Sequence, residues 1–327
     1  MKSMPAAADA AIEYAVHLLK QGRLVAFPTE TVYGLGADAS NPDAVKRIFT
    51  AKGRPAKNPV IVHIAHYTGL NTWAENVPEP ALQLAKRFWP GPLTIVLQKR
   101  PEVPLVVTGG QNTVALRVPK HPVALRLLDA FDGGIAAPSA NRYCRISPTE
   151  AKHVIDELGR KVDLILDGGK CEVGLESTIV DFSGDVPRLL RPGHISQFEI
   201  EDLIKCYLYG PNTEADAVRA PGMSPLHYAP VTIALRCPAA NLNAAVQLLT
   251  GGGKRIGIMT YQSTMSSGNR VRVIRMPRQV DQYAQVLYSS LRQLDALNLD
   301  RILVEQPPET AAWSAVNDRL RKATTLV

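Results

Sequence analysis

Lys52 and Arg54 stand on either side of one glycine, and upstream of them runs Pro28-Thr29-Glu30-Thr31-Val32-Tyr33-Gly34-Leu35-Gly36. Paired cations beside a polar, glycine-containing segment suit an anionic ligand, above all a phosphate: the charges attract it and glycine lets the main chain approach. Cations just past a helix also complement its macrodipole with no ligand at all, so the neighbours matter. Asn58, then Val60-Ile61-Val62 with His63, put more polar groups at the ends of a short apolar strand. In an open α/β sheet the ligand crevice lies at such strand ends.

Three further polar clusters follow the same pattern. Pro138-Ser139-Ala140-Asn141 comes directly after the apolar Ile135-Ala136-Ala137, with Ser147-Pro148-Thr149 opening the next helix. A Ser-x-Asn there is also an ordinary Asx or Ser turn. Gly174-Leu175-Glu176-Ser177-Thr178 is a polar turn entering a strand, and Leu190-Arg191-Pro192-Gly193 places another guanidinium at a strand end. Arg117 lies inside an apolar strand between Leu116 and Val118; buried, it needs an anionic partner, either a structural carboxylate or a ligand. Two nucleotide-like signals are discounted. Gly251-Gly252-Gly253-Lys254 lacks the upstream glycine of a P-loop and has Arg255 where a magnesium-binding hydroxyl belongs. Gly34-Leu35-Gly36-Ala37-Asp38-Ala39 has alanine at the third glycine position of a dinucleotide fingerprint.

The elements that must position these groups alternate. Arg23 to Phe27 reads as a strand ended by Pro28, after which Gly34 and Gly36 are expected to let the backbone turn or approach a ligand. A helix follows with Asn41 as N-cap, Pro42 at its first position, and Val45, Ile48 and Phe49 on one face; Gly53 stops it. Strands are expected at Val60–Ile64, Leu93–Leu97, Thr113–Val118, Ile135–Ala137, Leu164–Leu166, Thr178–Asp181 and Arg188–Leu190. Helices are expected at Ala7–Gln21 and Ala81–Phe88, from Pro122, over Thr149–Leu158, and from a Ser196/Glu199 capping box to about Tyr207. Pro- and Gly-rich sequence from Gly210 to Pro230 then breaks the pattern. Beyond it come strands at Val231–Leu235, Ile256–Met259, Val271–Ile274 and Ile302–Val304, and helices at Leu242–Leu249, Val280–Leu297 and the C-terminus. The division expected is 1–207, a linker 208–230 and 231–327, in an α/β class with a large twisted sheet in the first domain and a doubly wound second module.

A chain of 327 residues, 46% hydrophobic, fits an enzyme of about two domains, and no apolar run approaches the ~18–20 residues of a membrane span. With no apolar signal-peptide region after the early Lys2, a cytoplasmic location is expected. The four cysteines, Cys144, Cys171, Cys206 and Cys237, form no C-x-x-C pair, and His63 with His66 lacks a third metal ligand nearby. A net charge of +7 suits nucleic acid and polyphosphate substrates equally.

The ordered motifs decide more than any one of them. Pro-Thr-Glu-Thr-Val-Tyr-Gly-Leu-Gly, Lys-Gly-Arg-Pro-x-x-Asn-Pro, Pro-Ser-Ala-Asn, Glu-Ser-Thr-Ile-Val-Asp and Arg-Pro-Gly, with Ala220-Pro221-Gly222-Met223, His227-Tyr228-Ala229-Pro230, Trp313 and Asn317-Asp318-Arg319-Leu320, span nearly the whole chain. In this order they resemble the threonylcarbamoyl-AMP synthases of the YrdC-like family, in its two-domain form. The resemblance implies a twisted mixed-sheet YrdC-like catalytic domain and a smaller Rossmann-like C-terminal domain. It implies ATP-dependent synthesis of L-threonylcarbamoyl-AMP from L-threonine and bicarbonate or CO2, with pyrophosphate released and Mg²⁺ accompanying ATP. The product would feed the machinery that modifies the adenosine next to the anticodon of tRNAs reading codons that begin with A; direct tRNA binding stays open.

Carried over by motif, Lys52, Arg54, Asn58, Thr113, Ser139, Asn141, Ser147 and Arg191 would hold ATP, with Lys52 and Arg54 carrying the catalytic charge. Thr31, His63, Arg117, Ser177 and the backbone at Ala137 would hold threonine, and His227 and Tyr228 on the linker would close over the nucleotide. Two departures stand out: Cys144 occupies a position where the family usually has glycine, and Ser224-Pro225-Leu226 is less basic than some linkers. The competing readings are an RNA-binding protein without catalysis, and a carbamoyl-adenylate transferase, whose zinc-binding and acylphosphatase-like modules have no counterpart in this sequence.

Overall fold

The computed structural model describes residues 2–5, 9–211, 218–223 and 227–327. The expected linker positions 212–217 and Ser224-Pro225-Leu226 lie outside the described residues. The chain divides into two compact units, 1–143 with 148–223, and 144–147 with 224–327.

In the first unit the described strands are β1 (Lys2–Pro5), β2 (Val25–Phe27), β3 (Gly34–Asp38), β4 (Ile61–His63), β5 (Leu93–Gln98), β6 (Thr113–Arg117), β7 (Ile135–Ala136), β8 (Leu164–Asp167), β9 (Thr178–Asp181) and β10 (Arg188–Arg191). They form one mixed sheet in the order β1-β8-β2-β3-β7-β4-β6-β5-β9-β10. Helices Asp9–Lys20 and Pro122–Phe131 pack on Val25, Phe27, Ile135, Ala137, Leu164 and Leu166, covering one end of one face. The larger core lies on the opposite face, where helix Pro42–Lys52 inserts Val45, Ile48 and Phe49. Each such burial contributes roughly 1.5–3 kcal/mol. The helix is capped as the sequence implies: Asn41 accepts from the N–H groups of Asp43 and Ala44, and Gly53 closes it at φ 63°.

Register explains what the helices leave uncovered. His63 pairs with Arg117 and with Ile135, Ile61 with Ala115, and Asp181 with Arg188. Side chains in register share a face and alternate along each strand. The helix-covered residues Ile135 and Ala137 therefore share a face with Ile61, His63, Ala115, Arg117, Val96, Ile179 and Arg191. Over that second part the apolar cover is supplied by Ala220 with partly buried Val218 and Met223, packed on Ile61, Val96, Ala115, Ile179 and Leu190.

The glycine expectation is corrected here. Gly34 and Gly36 lie within β3 rather than in a turn. A Cβ on Gly36 would stand 2.8 Å from the Phe27 ring and 2.9 Å from Ile135, so packing between neighbouring strands requires the missing side chain. The capping box at Ser196/Glu199 is present, but its helix ends at Ile204, where Lys205 turns left-handed at φ 51°, short of Tyr207.

The second unit holds β11 (Ala234–Cys237), β12 (Ile256–Thr260), β13 (Val271–Arg275), β14 (Arg301–Glu305) and β15 (Thr325–Leu326) in a parallel sheet of order β13-β12-β14-β11-β15, with helices Ala239–Gly251, Val280–Asp295 and Ser314–Ala323. The strand expected from Val231 begins at Ala234 because the Asp295 carboxylate takes the N–H groups of Val231 and Thr232, at 2.9 and 2.7 Å. Among the described residues no helix is long and apolar enough to cross a membrane.

Candidate active site

Arg117 ends β6 and is 3% exposed. Its Nη2 lies 2.7 Å from a Glu30 carboxylate oxygen, its Nη1 donates to Thr31 Oγ1 at 2.9 Å, and its Nε donates to the Gly91 carbonyl at 3.3 Å. Of the two partners the sequence leaves open, a structural carboxylate is thus present in the protein itself. Glu30 is fixed in turn by the Lys120 N–H, at 2.9 Å from its other oxygen. Beside Arg117 on β4 sits His63. Burial, and then the Arg117 charge, push its imidazole down to about 3, so it is neutral at ordinary pH.

Ser177 stands one residue before β9, fully buried, with its Oγ 2.7 Å from Thr94 Oγ1. Arg191, the last residue of β10, donates from Nη2 to that Oγ at 3.1 Å and from Nε to the Ser177 carbonyl at 3.0 Å. Gly193 makes this approach possible: a Cβ there would lie 2.3 Å from the Thr178 nitrogen. Ala137 gives its N–H to the Ile61 carbonyl at 2.9 Å, which leaves its own carbonyl as the group that can face a ligand. Thr31, His63, Arg117, Ala137 and Ser177 are therefore gathered by this one unit. His63 and Arg117 end their strands, Ala137 follows β7 and Ser177 precedes β9, so the set lies at strand ends, as expected, on a shared sheet face.

The cationic group forms a second cluster. Lys52, at the helix end but only 4% exposed, donates from Nζ to the carbonyls of Ser139 and Asn141, both at 2.5 Å. Arg54 donates to the Pro59 carbonyl at 2.8 Å, and its guanidinium lies 5.8 Å from the centre of the Tyr143 ring. Asn58 donates to the Tyr143 hydroxyl at 3.0 Å, while the Tyr143 N–H returns to the Lys52 carbonyl at 2.9 Å. The helix-dipole reading of Lys52 does not account for this burial or for its bonds to a different loop. Thr113 opens β6 on the same face as Arg117. Among the described residues no group of three or more His, Cys, Asp or Glu could hold a metal ion.

Sequence reasoning missed Tyr143, Glu30 and Thr94. Tyr143 joins three of the expected ATP residues, and its only sequence signal is an aromatic ring just after Asn141. Glu30 was inside a motif already quoted, yet nothing local says that its partner lies on β6.

A family model spanning Sua5, YciO and YrdC proteins, described as telomere recombination, matches residues 17–193, and one described as the threonylcarbamoyl-AMP synthase C-terminal domain matches 195–325. The threonylcarbamoyl-AMP synthase of Pyrococcus abyssi is 43% identical over 96% of this chain and 94% of its own length. This chain belongs to the threonylcarbamoyl-AMP synthase family. The Bacillus subtilis threonylcarbamoyl-AMP synthase is 41% identical over 96% of this chain and 93% of its own. A crystal structure of P. abyssi Sua5 complexed with L-threonine matches with a TM-score of 0.89 at 42% identity, covering 97% of this chain and 96% of that one. Membership makes this chain an enzyme of the nucleotidyltransferase type, with an adenylate-linked product.

The remaining synthase-family motifs fall in the second unit. Ser147 is fully buried there. His227 and Tyr228 are buried with ring centres 4.2 Å apart, and Tyr228 takes a left-handed φ of 62°. The fully buried Arg319 holds its guanidinium 5.4 Å from the Tyr228 ring centre and pairs with Asp318 at 2.7 Å. Asn317 donates to the Pro308 carbonyl at 2.8 Å. The terminal helix thus meets the His-Tyr pair through Arg319, under the Tyr228 ring, and through the Lys322 carbonyl, which accepts the His227 N–H at 3.1 Å. Cys144, at the usual glycine position, keeps a left-handed φ of 63°, and its carbonyl accepts the Ala229 N–H at 2.9 Å. The turn conformation survives without the glycine.

Proposed function

We propose that this chain makes L-threonylcarbamoyl-AMP from L-threonine, bicarbonate or CO2, and MgATP, releasing pyrophosphate. The threonine amine adds to CO2 as a carbamate, and a carbamate oxygen attacks the α-phosphorus as the bond to pyrophosphate breaks. The reaction needs no protein nucleophile. It needs two anions held in line and charge stabilised on the phosphates. Lys52, Arg54 and Arg191, with Asn58, Thr113, Ser139, Asn141 and Ser147, are assigned to ATP, and His227 with Tyr228 to closure over the nucleotide. Thr31, His63, Arg117, Ser177 and the Ala137 carbonyl are assigned to threonine. Mg²⁺ enters with the phosphates as part of the substrate. The labile adenylate is then consumed by the machinery that modifies tRNA adenosine beside the anticodon.

The observation that carries this reading is the pair of contacts from Arg191 to Ser177. One joins a cation assigned to the nucleotide to a hydroxyl assigned to the amino acid and the other reaches the carbonyl of the same serine, so the two assigned sets adjoin, as a reaction joining carbamate to α-phosphate requires. The structure of the P. abyssi relative with L-threonine supports the amino acid chosen. Mass detection of the product made from isotope-labelled bicarbonate tests it: the adenylate should carry both the label and threonine, and an adenylate lacking either contradicts the proposal. A pocket that fits one methyl group prefers threonine over serine by roughly 10- to 200-fold, so equal turnover of the two amino acids would refute shape selection.

A further inference from the structure

We propose that Glu30 is the positioning residue that aims Arg117 at the carboxylate of the amino-acid substrate, an inference that rests on the threonine assignment above. Glu30 is 2% exposed and Arg117 3%. A guanidinium buried without a counter-charge is costly, and truncating one partner of a buried pair strands the other. Glu30 serves that need in the substrate-free protein, but its geometry goes further. One carboxylate oxygen contacts Arg117 Nη2 and the other accepts the Lys120 N–H, while the Glu30 carbonyl accepts the Val173 N–H at 2.7 Å. The acid is held from three directions and acts as a strut.

Among the described residues, Thr31 and Gly91 accept N–H groups from Nη1 and Nε of Arg117, while the Glu30 carboxylate lies 2.7 Å from Nη2 as an ion pair. N–H groups remain on both terminal nitrogens, enough for a carboxylate to make a two-point contact with the fork. Without Glu30 the fork keeps its charge and loses its aim.

Glu30→Gln tests this through steady-state kinetics of threonine-dependent pyrophosphate release. The KM for threonine should rise roughly 10- to 100-fold, with the KM for ATP changed less than about threefold. Preference for threonine over L-threoninamide, which lacks the carboxylate, should collapse in the variant, and Glu30→Asp should restore part of it. Equal losses for both substrates with the threoninamide ratio intact would overturn the inference. Should neither variant fold, a threonine-bound structure of the unsubstituted protein decides: the Glu30–Arg117 contact is expected to persist, and Glu30 displaced from Arg117 would refute it. An unsubstituted protein without threonine-dependent turnover would instead refute the underlying activity.

Discussion

At the scale of single residues, the site is a set of buried charges whose neighbours are all inside the protein. Lys52 and Arg54 rest on carbonyl dipoles that keep them extended into the fold. Lys52→Ala or Arg54→Ala is expected to lower pyrophosphate release at least about 100-fold, on the scale of losing one transition-state charge contact, with circular dichroism unchanged; near-normal turnover would remove them from the catalytic role. His63 carries a pH signature. Its imidazole titrates near 3 when folded and near 6.5 when not. Between those values the unfolded chain binds the extra proton, so stability is complete above about pH 6.5 and falls as pH drops. The His63 share of that loss by pH 5 is about 2 kcal/mol. Chemical denaturation at pH 7 and pH 5 should show it, and His63→Gln should flatten the acid limb; an identical acid limb in the variant would contradict the assignment.

At the scale of elements, two backbone positions carry testable weight. The glycine of Arg191-Pro192-Gly193 lets its segment press on Ser177 and Thr178. Gly193→Ala should destabilise the protein by about 1–3 kcal/mol by overpacking and raise the KM for threonine; a thermal unfolding midpoint equal to that of the parent would refute the packing argument. Cys144 bears a side chain at a left-handed φ, which costs roughly 1–2 kcal/mol. Part of that is offset by the greater unfolded freedom of glycine, so Cys144→Gly should stabilise by up to about 1 kcal/mol, read as a higher denaturation midpoint.

Elements were legible where sequence signals were local. The Asn41-Pro42 start, the Gly53 stop and the Ser196/Glu199 box all need only neighbouring residues. β1 and β15 were missed because short edge strands are defined by partners far away in sequence, Leu164–Asp167 for one and Leu235–Arg236 for the other. Gly34 and Gly36 were misread for the same reason, since what excludes their side chains is Phe27 and Ile135 across the sheet. The site followed that rule too. Its motif residues could be named, while Glu30–Arg117 and Tyr143 needed the fold to bring distant segments together.

At the scale of the whole molecule, each unit has a distinct physical task. The first gathers the residues proposed for threonine and most of those proposed for ATP on one sheet face and the adjoining loops. The second seats His227 and Tyr228 on its terminal helix and pairs Cys144 with Ala229. The resemblance in sequence runs across both, as does the 43% identity to the P. abyssi synthase. The net charge of +7 includes the buried cations Lys52, Arg54, Arg117 and Arg191, which are 3–8% exposed and so add little to the charge of the outer surface. The decisive measurement is pyrophosphate release from ATP and Mg²⁺ by purified protein, with threonine and bicarbonate each present or omitted. Release that requires both is the result expected. Release indifferent to threonine, or none from folded protein, would contradict the central claim.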